Sequence, residues 1–162
     1  MGFPKGIRRK KKMVNKQTRY EIRIVKVGCV RESPSEDFGK ISMPVHILPY
    51  LDTIKNAEQE HFVAISLDGG NNVITSRVIT IGLLNHSLVH PRETFRGAIS
   101  DNAAAIIIAH NHPSGSLDPS QQDISITNRL RDAGEILGIK VIDHIIVSKY
   151  DNFYSMKEHG MI

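Results

Sequence analysis

The chain is poor in two features that would settle its class quickly, cysteine and long apolar runs. Cys29 is the only cysteine in 162 residues, which excludes an internal disulfide and a CxxC zinc site and makes a reducing cytoplasm the simplest compartment. Close to Val27 and Val30, it reads as a small buried hydrophobe. The longest uninterrupted apolar run is about seven residues, against the ~20 needed to cross a bilayer. The N-terminal stretch "MGFPKGIRRKKKMVNKQ" lacks an apolar core and is therefore no secretory signal. Repeats and low-complexity stretches are missing as well. What remains, 40% hydrophobic and 23% charged residues, suits a soluble globular chain of one domain, long enough to bury a core.

The net charge of +4 is unevenly spread. Lys5, Arg8, Arg9, Lys10, Lys11, Lys12 and Lys16 place seven positive charges in the first sixteen residues, with no acid among them. The rest of the chain holds 14 basic against 17 acidic side chains, a balance of −3. Basicity therefore belongs to a tail, which would contact phosphate backbones without reading sequence. The plainer expectation for it is a disordered, solubilising end.

Beyond the tail, "TRYEIRIVKVGCV" alternates with a period of two and predicts a strand. "RESPSEDFGK" is a polar loop. In "MPVHILPYLDTIKNAEQE" the spacing of Val45, Leu48, Leu51 and Ile54 predicts a helix, shortened or kinked by Pro49. "EHFVAISLD" and "VITSRVITIGLL", joined by "GGNN", predict a hairpin. A helix is expected from about Pro91, and "AAAIIIA" reads as a strand buried on both faces. The next helix carries the clearest start signal, with Asp118 as N-cap, Pro119 at N1 and Gln121 at N3, and it stops at Gly138. "IKVIDHIIV" supplies a further strand and "KYDNFYS" a final turn or hairpin. The order predicts a single α/β layer structure with a mixed sheet.

The chemistry concentrates in "AIIIAHNHPSGSLDPSQQDI". Residues i and i+2 of a strand point the same way, so His110 and His112 present their imidazoles to one point as the strand leaves the sheet. The turn "PSGSLDP" returns the chain to a helix on which Ser120 and Asp123 share a face. Gly115 is expected to supply a backbone conformation that other residues resist, and Ser114 and Ser116 to be hydrogen-bonded loop residues. Two imidazoles and the Asp123 carboxylate are ligands that Zn²⁺ takes readily, with a fourth position left for water. Zinc so held lowers the pKa of water from ~15.7 towards ~7. An isolated HxH, by contrast, often lies on a half-exposed edge and binds nothing. Asn111 should point to the opposite side of the strand. His144, on an apolar strand, reads as a satisfied core histidine or a group behind the ligands. His46, His61, His86, His90 and His159 read as structural or exposed.

His110-x-His112, seven residues, then Ser120-x-x-Asp123 resembles the JAMM signature of JAB/MPN metalloproteins. More narrowly, "VHPRETFRGAISDNAAAIIIAHNHPSG" and "AHNHPSGSLDPSQQDISITNRLRDAGEILGIKVIDHIIV" resemble the bacterial RadC family, a likeness running over roughly residues 45 to 162. The resemblance implies an α+β JAMM/MPN-like (cytidine-deaminase-like) fold with one Zn²⁺ on His110, His112 and Asp123. It also implies a glutamate at the start of an early strand, which falls on Glu60, and a role for Ser120 as hydrogen-bond donor to the oxyanion of a tetrahedral intermediate. Glu93, in "HPRET", is the competing acid, equally suited to the first turn of a helix. Better-known members carry an N-terminal helix-hairpin-helix-like region associated with DNA binding. Residues 1–40 offer a basic tail (1–17), then one strand and a loop (18–40), so residues 41–162 are expected to act as a short, stand-alone metal-binding domain similar to forms on mobile elements.

Three functions follow as expectations. The first is a zinc-dependent hydrolase of peptide or isopeptide bonds acting on a protein or peptide substrate. The second is a DNA-associated protein, either a metal-dependent nuclease or a non-enzymatic accessory held by the tail. The third is a scaffold that keeps the fold without turnover. Neither the substrate nor the oligomeric state is written in the sequence, though a strand such as 18–30 could pair with a second copy.

Overall fold

The computed structural model of the chain describes residues 39–82, 89–149 and 152–162. The basic tail, the expected strand at 18–30, Cys29 and His86 lie outside the described residues. A 3₁₀ turn, Pro44–Tyr50, leads into the hairpin β1 (His61–Leu67) and β2 (Val73–Ile81). Helix α1 (Pro91–Ser100), strand β3 (Ala105–Asn111), helix α2 (Gln121–Leu137), strand β4 (Lys140–Val147) and strand β5 (Phe153–Ser155) complete the order. The five strands form one mixed sheet in the order β2-β1-β3-β4-β5. Only β3 and β4 run parallel, with α2 as the crossover between them. The fold is α+β, a mixed sheet covered by helices, as expected.

Period-two alternation sorts the strands onto two cores. Phe62, Ala64, Ile106 and Ile108 face α1 and α2, packing on Phe95, Ala98, Ile126 and Leu130. Val63, Ile65, Ala105, Ile107 and Ala109 face the other way, against Ile41, Ile47, Leu51 and Ile54. Strand β3 is buried at all seven positions because it is central and covered on both sides. That accounts for its unbroken apolar run, which ends in His110 on the α2 face.

Two expectations need correction. The helix expected over 45–54 is a 3₁₀ turn followed by looser turns. Pro49 lacks the N–H that an α-helical ladder would use there, and Val45 is exposed while the neighbouring Ile47 is buried. Helix α2 is capped by Ser120, not by Asp118. "DPSQ" and "SQQD" both fit a capping pattern, and the second wins because an ionised carboxylate at N3 accepts from the cap backbone more strongly than Gln121 would. The stop at Gly138 holds, with φ +70.

Strand β4 contains the irregularity that matters for the site. Ile106 pairs with Val141, but Ile107 pairs with Asp143, so Ile142 is an extra, bulged residue. Simple alternation from Val141, which faces the helices, would turn His144 to the opposite side. The extra residue restores His144 to the face that carries His110.

A candidate metal centre at the end of strand β3

His110 is the penultimate residue of β3, and His112 follows immediately after the strand ends. Gly115, with φ +84, allows the chain to reverse. His112 N donates to Val147 O across the parallel pair at 3.1 Å, and Gly115 N to His112 O at 2.9 Å. Helix α2 then starts beside the histidines. Its capping box joins Ser120 and Asp123: Ser120 Oγ accepts from Asp123 N at 3.1 Å, while Asp123 Oδ2 accepts from Ser120 N at 2.8 Å and from Ser120 Oγ at 2.6 Å. The local interaction that starts the helix therefore also aims its carboxylate.

His110 Nε2 lies 2.9 Å from His112 Nε2 and 3.3 Å from Asp123 Oδ1, and His112 Nε2 lies 3.5 Å from Asp123 Oδ2. One ligand atom from each of the three residues falls within 4.8 Å of the other two. A tetrahedral Zn²⁺ with bonds of ~2.0–2.1 Å separates neighbouring ligands by about 3.3 Å, which the three distances bracket. The donor set fits a metal ion. The three residues predicted from sequence as ligands are thus brought together.

Their electrostatics favour that role at His110 and Asp123, while His112 leans to the protonated form. Burial, helped by the neighbouring His144, pushes the His110 imidazole well below its ordinary value and keeps it neutral, as a ligand must be. His112 is raised, first by its hydrogen bond to Asp123 and least by the charge of Glu60. Burial alone would raise Asp123, but His112, His110 and Ser120 together hold its carboxyl well below the usual range. His112 Nδ1 sits 2.9 Å from Ser116 O, an obligatory acceptor, so that nitrogen carries a proton, and Nε2, turned to the cluster, gives up the proton it shares with Asp123 when a metal takes its place.

The cluster opens into a cleft lined by Glu58, Glu60, His112, Ser114, Ser116, Asp118, Ser120 and Asp123 among others. Glu60 stands on the wall just before β1. Its segment is clamped by Asn111, buried and facing away from the cluster as expected. Asn111 Oδ1 accepts from His61 N at 2.7 Å, and its amide donates to Gln59 O at 3.0 Å and Ala57 O at 3.3 Å. The tripeptide 110–112 thus supplies two candidate ligands and, between them, the anchor of the facing acid. Glu93 is not among the cleft residues; it pairs with Arg92 at 3.0 Å and Arg96 at 3.6 Å in the first turn of α1. His90, read as structural, caps that helix by accepting from Arg92 N.

His144 stands behind His110, as one of its two sequence readings had it, but Thr127 and its contact were missed. Thr127 Oγ1 lies 2.5 Å from His144 Nδ1, and His144 Nε2 lies 2.7 Å from His110 Nδ1. A hint was available, since Thr127 follows Asp123 by one helical turn, but its partner depends on the β4 bulge. Phe62 closes the apolar side, stacked on His110 and edge-on to His144.

Residues 41–161 match the model of the RadC-like JAB domain. The chain is 53% identical over 112 residues to a "UPF0758 protein" of Methanospirillum hungatei, covering 68% of this chain and 50% of that protein. Similar matches are a UPF0758 protein of Rubrobacter xylanophilus, 50% identical over 67% of this chain and 47% of the relative, and one of Pelobacter propionicus, 41% identical over 78% and 56%. The chain spans about half the length of these curated relatives. No helix among the described residues is long and apolar enough to cross a membrane.

Proposed function

Because the chain belongs to the family of RadC-like JAB domains, we propose that it is a zinc-dependent hydrolase of amide bonds, peptide or isopeptide, in the cytoplasm. The observation that carries this reading is the meeting of two imidazoles and a carboxylate, of which His112 and Asp123 line a cleft with a second carboxylate, Glu60, on its wall. His110, His112 and Asp123 would hold Zn²⁺, which when bound supplies Lewis acidity and lowers the pKa of water towards ~7. Glu60 takes the proton of the attacking water and passes it to the leaving amine. Ser120 lines the same cleft and donates to the developing oxyanion. Its single proton is engaged with Asp123 Oδ2 in the resting arrangement, so this role requires the hydroxyl to turn from the carboxylate to the substrate.

The charge of the cleft favours a peptide over a nucleic acid. Glu58, Glu60, Asp118 and Asp123 line it, and neither lysine nor arginine is among its described lining residues. A phosphodiester backbone would meet like charge there. The reading of a DNA-associated accessory rests on the basic tail alone.

Elemental analysis of the purified chain should find about one zinc per protein, lost in His112→Ala. Glu60→Gln should keep the zinc and lose about 10²–10⁴-fold in turnover on whichever member of a peptide and isopeptide panel the wild type cleaves. A metal-free wild type overturns the proposal. So does a zinc-loaded protein that cuts DNA and no amide, or a Glu60→Gln variant of undiminished turnover.

A further inference from the structure

We propose that His144 and Thr127 are positioning residues, which hold His110 in the one tautomer able to ligate a metal. The proposal rests on the metal-centre reading above and asks which proton arrangement the surrounding residues impose.

Thr127 lies one turn after Asp123 on α2. Its Oγ1 lies 2.6 Å from the Asp123 carbonyl oxygen, which can only accept. The single hydroxyl proton goes there; the Met156 thioether, at 3.4 Å, is the weaker acceptor. Towards His144 Nδ1 the hydroxyl then has only lone pairs, so Nδ1 carries the hydrogen of that contact. A neutral imidazole has one N–H. His144 Nε2 is therefore an acceptor, and at 2.7 Å it takes the proton of His110 Nδ1. His110 Nε2 is left bare, aimed at His112 Nε2 and Asp123 Oδ1.

The opposite polarity would put a proton on His110 Nε2, where a ligand needs a lone pair. It would also set two hydroxyl lone pairs against the Asp123 carbonyl. His110 and His144 are fully buried and Thr127 is 2% exposed, so water is not at hand to supply either proton arrangement from outside. His112 likewise carries a proton on Nδ1, towards Ser116 O. The chain of donors runs from one ligand, His110, back to the backbone of another, Asp123.

Zinc affinity, measured by competition with a chromophoric chelator on the whole 162-residue chain, tests this. Thr127→Val keeps volume and loses the acceptor, and should weaken zinc about tenfold or more, within the range of partners that orient ligands. Thr127→Ser keeps the hydroxyl and should bind like the wild type. His144→Phe should weaken zinc at least as much as Thr127→Val. Thermal unfolding of the metal-free variants identifies any that do not fold, and the threonine pair decides the matter if the phenylalanine variant is one of them. Ring ¹⁵N shifts of the zinc-loaded wild type should place the proton on Nδ1 in both His110 and His144. The relay is overturned if folded Thr127→Val binds zinc within twofold of wild type, if Thr127→Ser is as weak as Thr127→Val, or if His144 carries its proton on Nε2. A wild type that takes up no zinc removes the metal centre itself, and the relay with it; a wild type that binds zinc beside unaffected variants removes the relay alone.

Discussion

Asp123 shows how much one side chain does here. Its backbone N–H and carboxylate close the capping box with Ser120, its carbonyl holds the Thr127 hydroxyl, and its carboxylate faces both histidines. A second carboxylate, Asp101, has a purely structural place. It ends α1 and is gripped by Arg77 of β2, with Arg77 Nη2 donating to Oδ1 at 2.7 Å and Thr75 Oγ1 donating to Oδ2 at 2.7 Å. The Arg77 bond, ahead of the opposing effect of burial and the help of Thr75, lowers the Asp101 carboxyl to about 2. A carboxyl whose folded value is depressed stabilises the fold above its unfolded value, about 3.9, and loses that contribution as pH falls towards 2. In urea unfolding, Asp101→Asn should therefore be less stable than the wild type by on the order of 1–2 kcal/mol at pH 6, allowing for solvent screening at the half-exposed Arg77. The gap should close by about pH 2. An equal gap at both ends of the range would mean that charge is not what Asp101 contributes.

At the scale of elements, the sheet and helices were largely legible, because their signals are short-range. The β1–β2 hairpin, the apolar β3 and the glycine stop of α2 depend on periodicity and on single residues. The start of α2 was misread by two residues because Asp118 and Ser120 both suit a cap, and only the position of Asp123 decides between them. Packing of α2 on its neighbours was not legible at all. Gly134 faces Phe95 of α1 and the carbonyl of Ile139; a Cβ placed on it would lie 2.4 Å from Ile139 O and 3.2 Å from Phe95 Cζ. In an open helix, glycine to alanine gains up to ~1 kcal/mol. Here Gly134→Ala should instead cost about 1–3 kcal/mol through overpacking against backbone that cannot yield. That corresponds to a drop of roughly 2–12 °C in Tm, and a rise in Tm would show the contact to be slack.

For the whole molecule, charge is segregated. The tail carries seven cations, the remainder of the chain has a balance of −3, and the cleft is lined with carboxylates. Removing residues 1–16 should abolish retention on a DNA column at low salt while leaving zinc content unchanged. Retention that survives the deletion would place a nucleic-acid surface on the domain itself. The mixed fold and the trio His110, His112 and Asp123 were readable from the residues alone, because a two-residue strand step and a nearby helix start are local geometry. Tertiary structure decided what depends on partners far along the chain. It put Glu60 rather than Glu93 in the cleft by way of Asn111, fifty residues after His61. Through a bulge in β4 it brought His144 against His110, thirty-four residues away. A bulge and a cross-sheet clamp arise from the fit between neighbouring strands, and no periodicity within one segment encodes them.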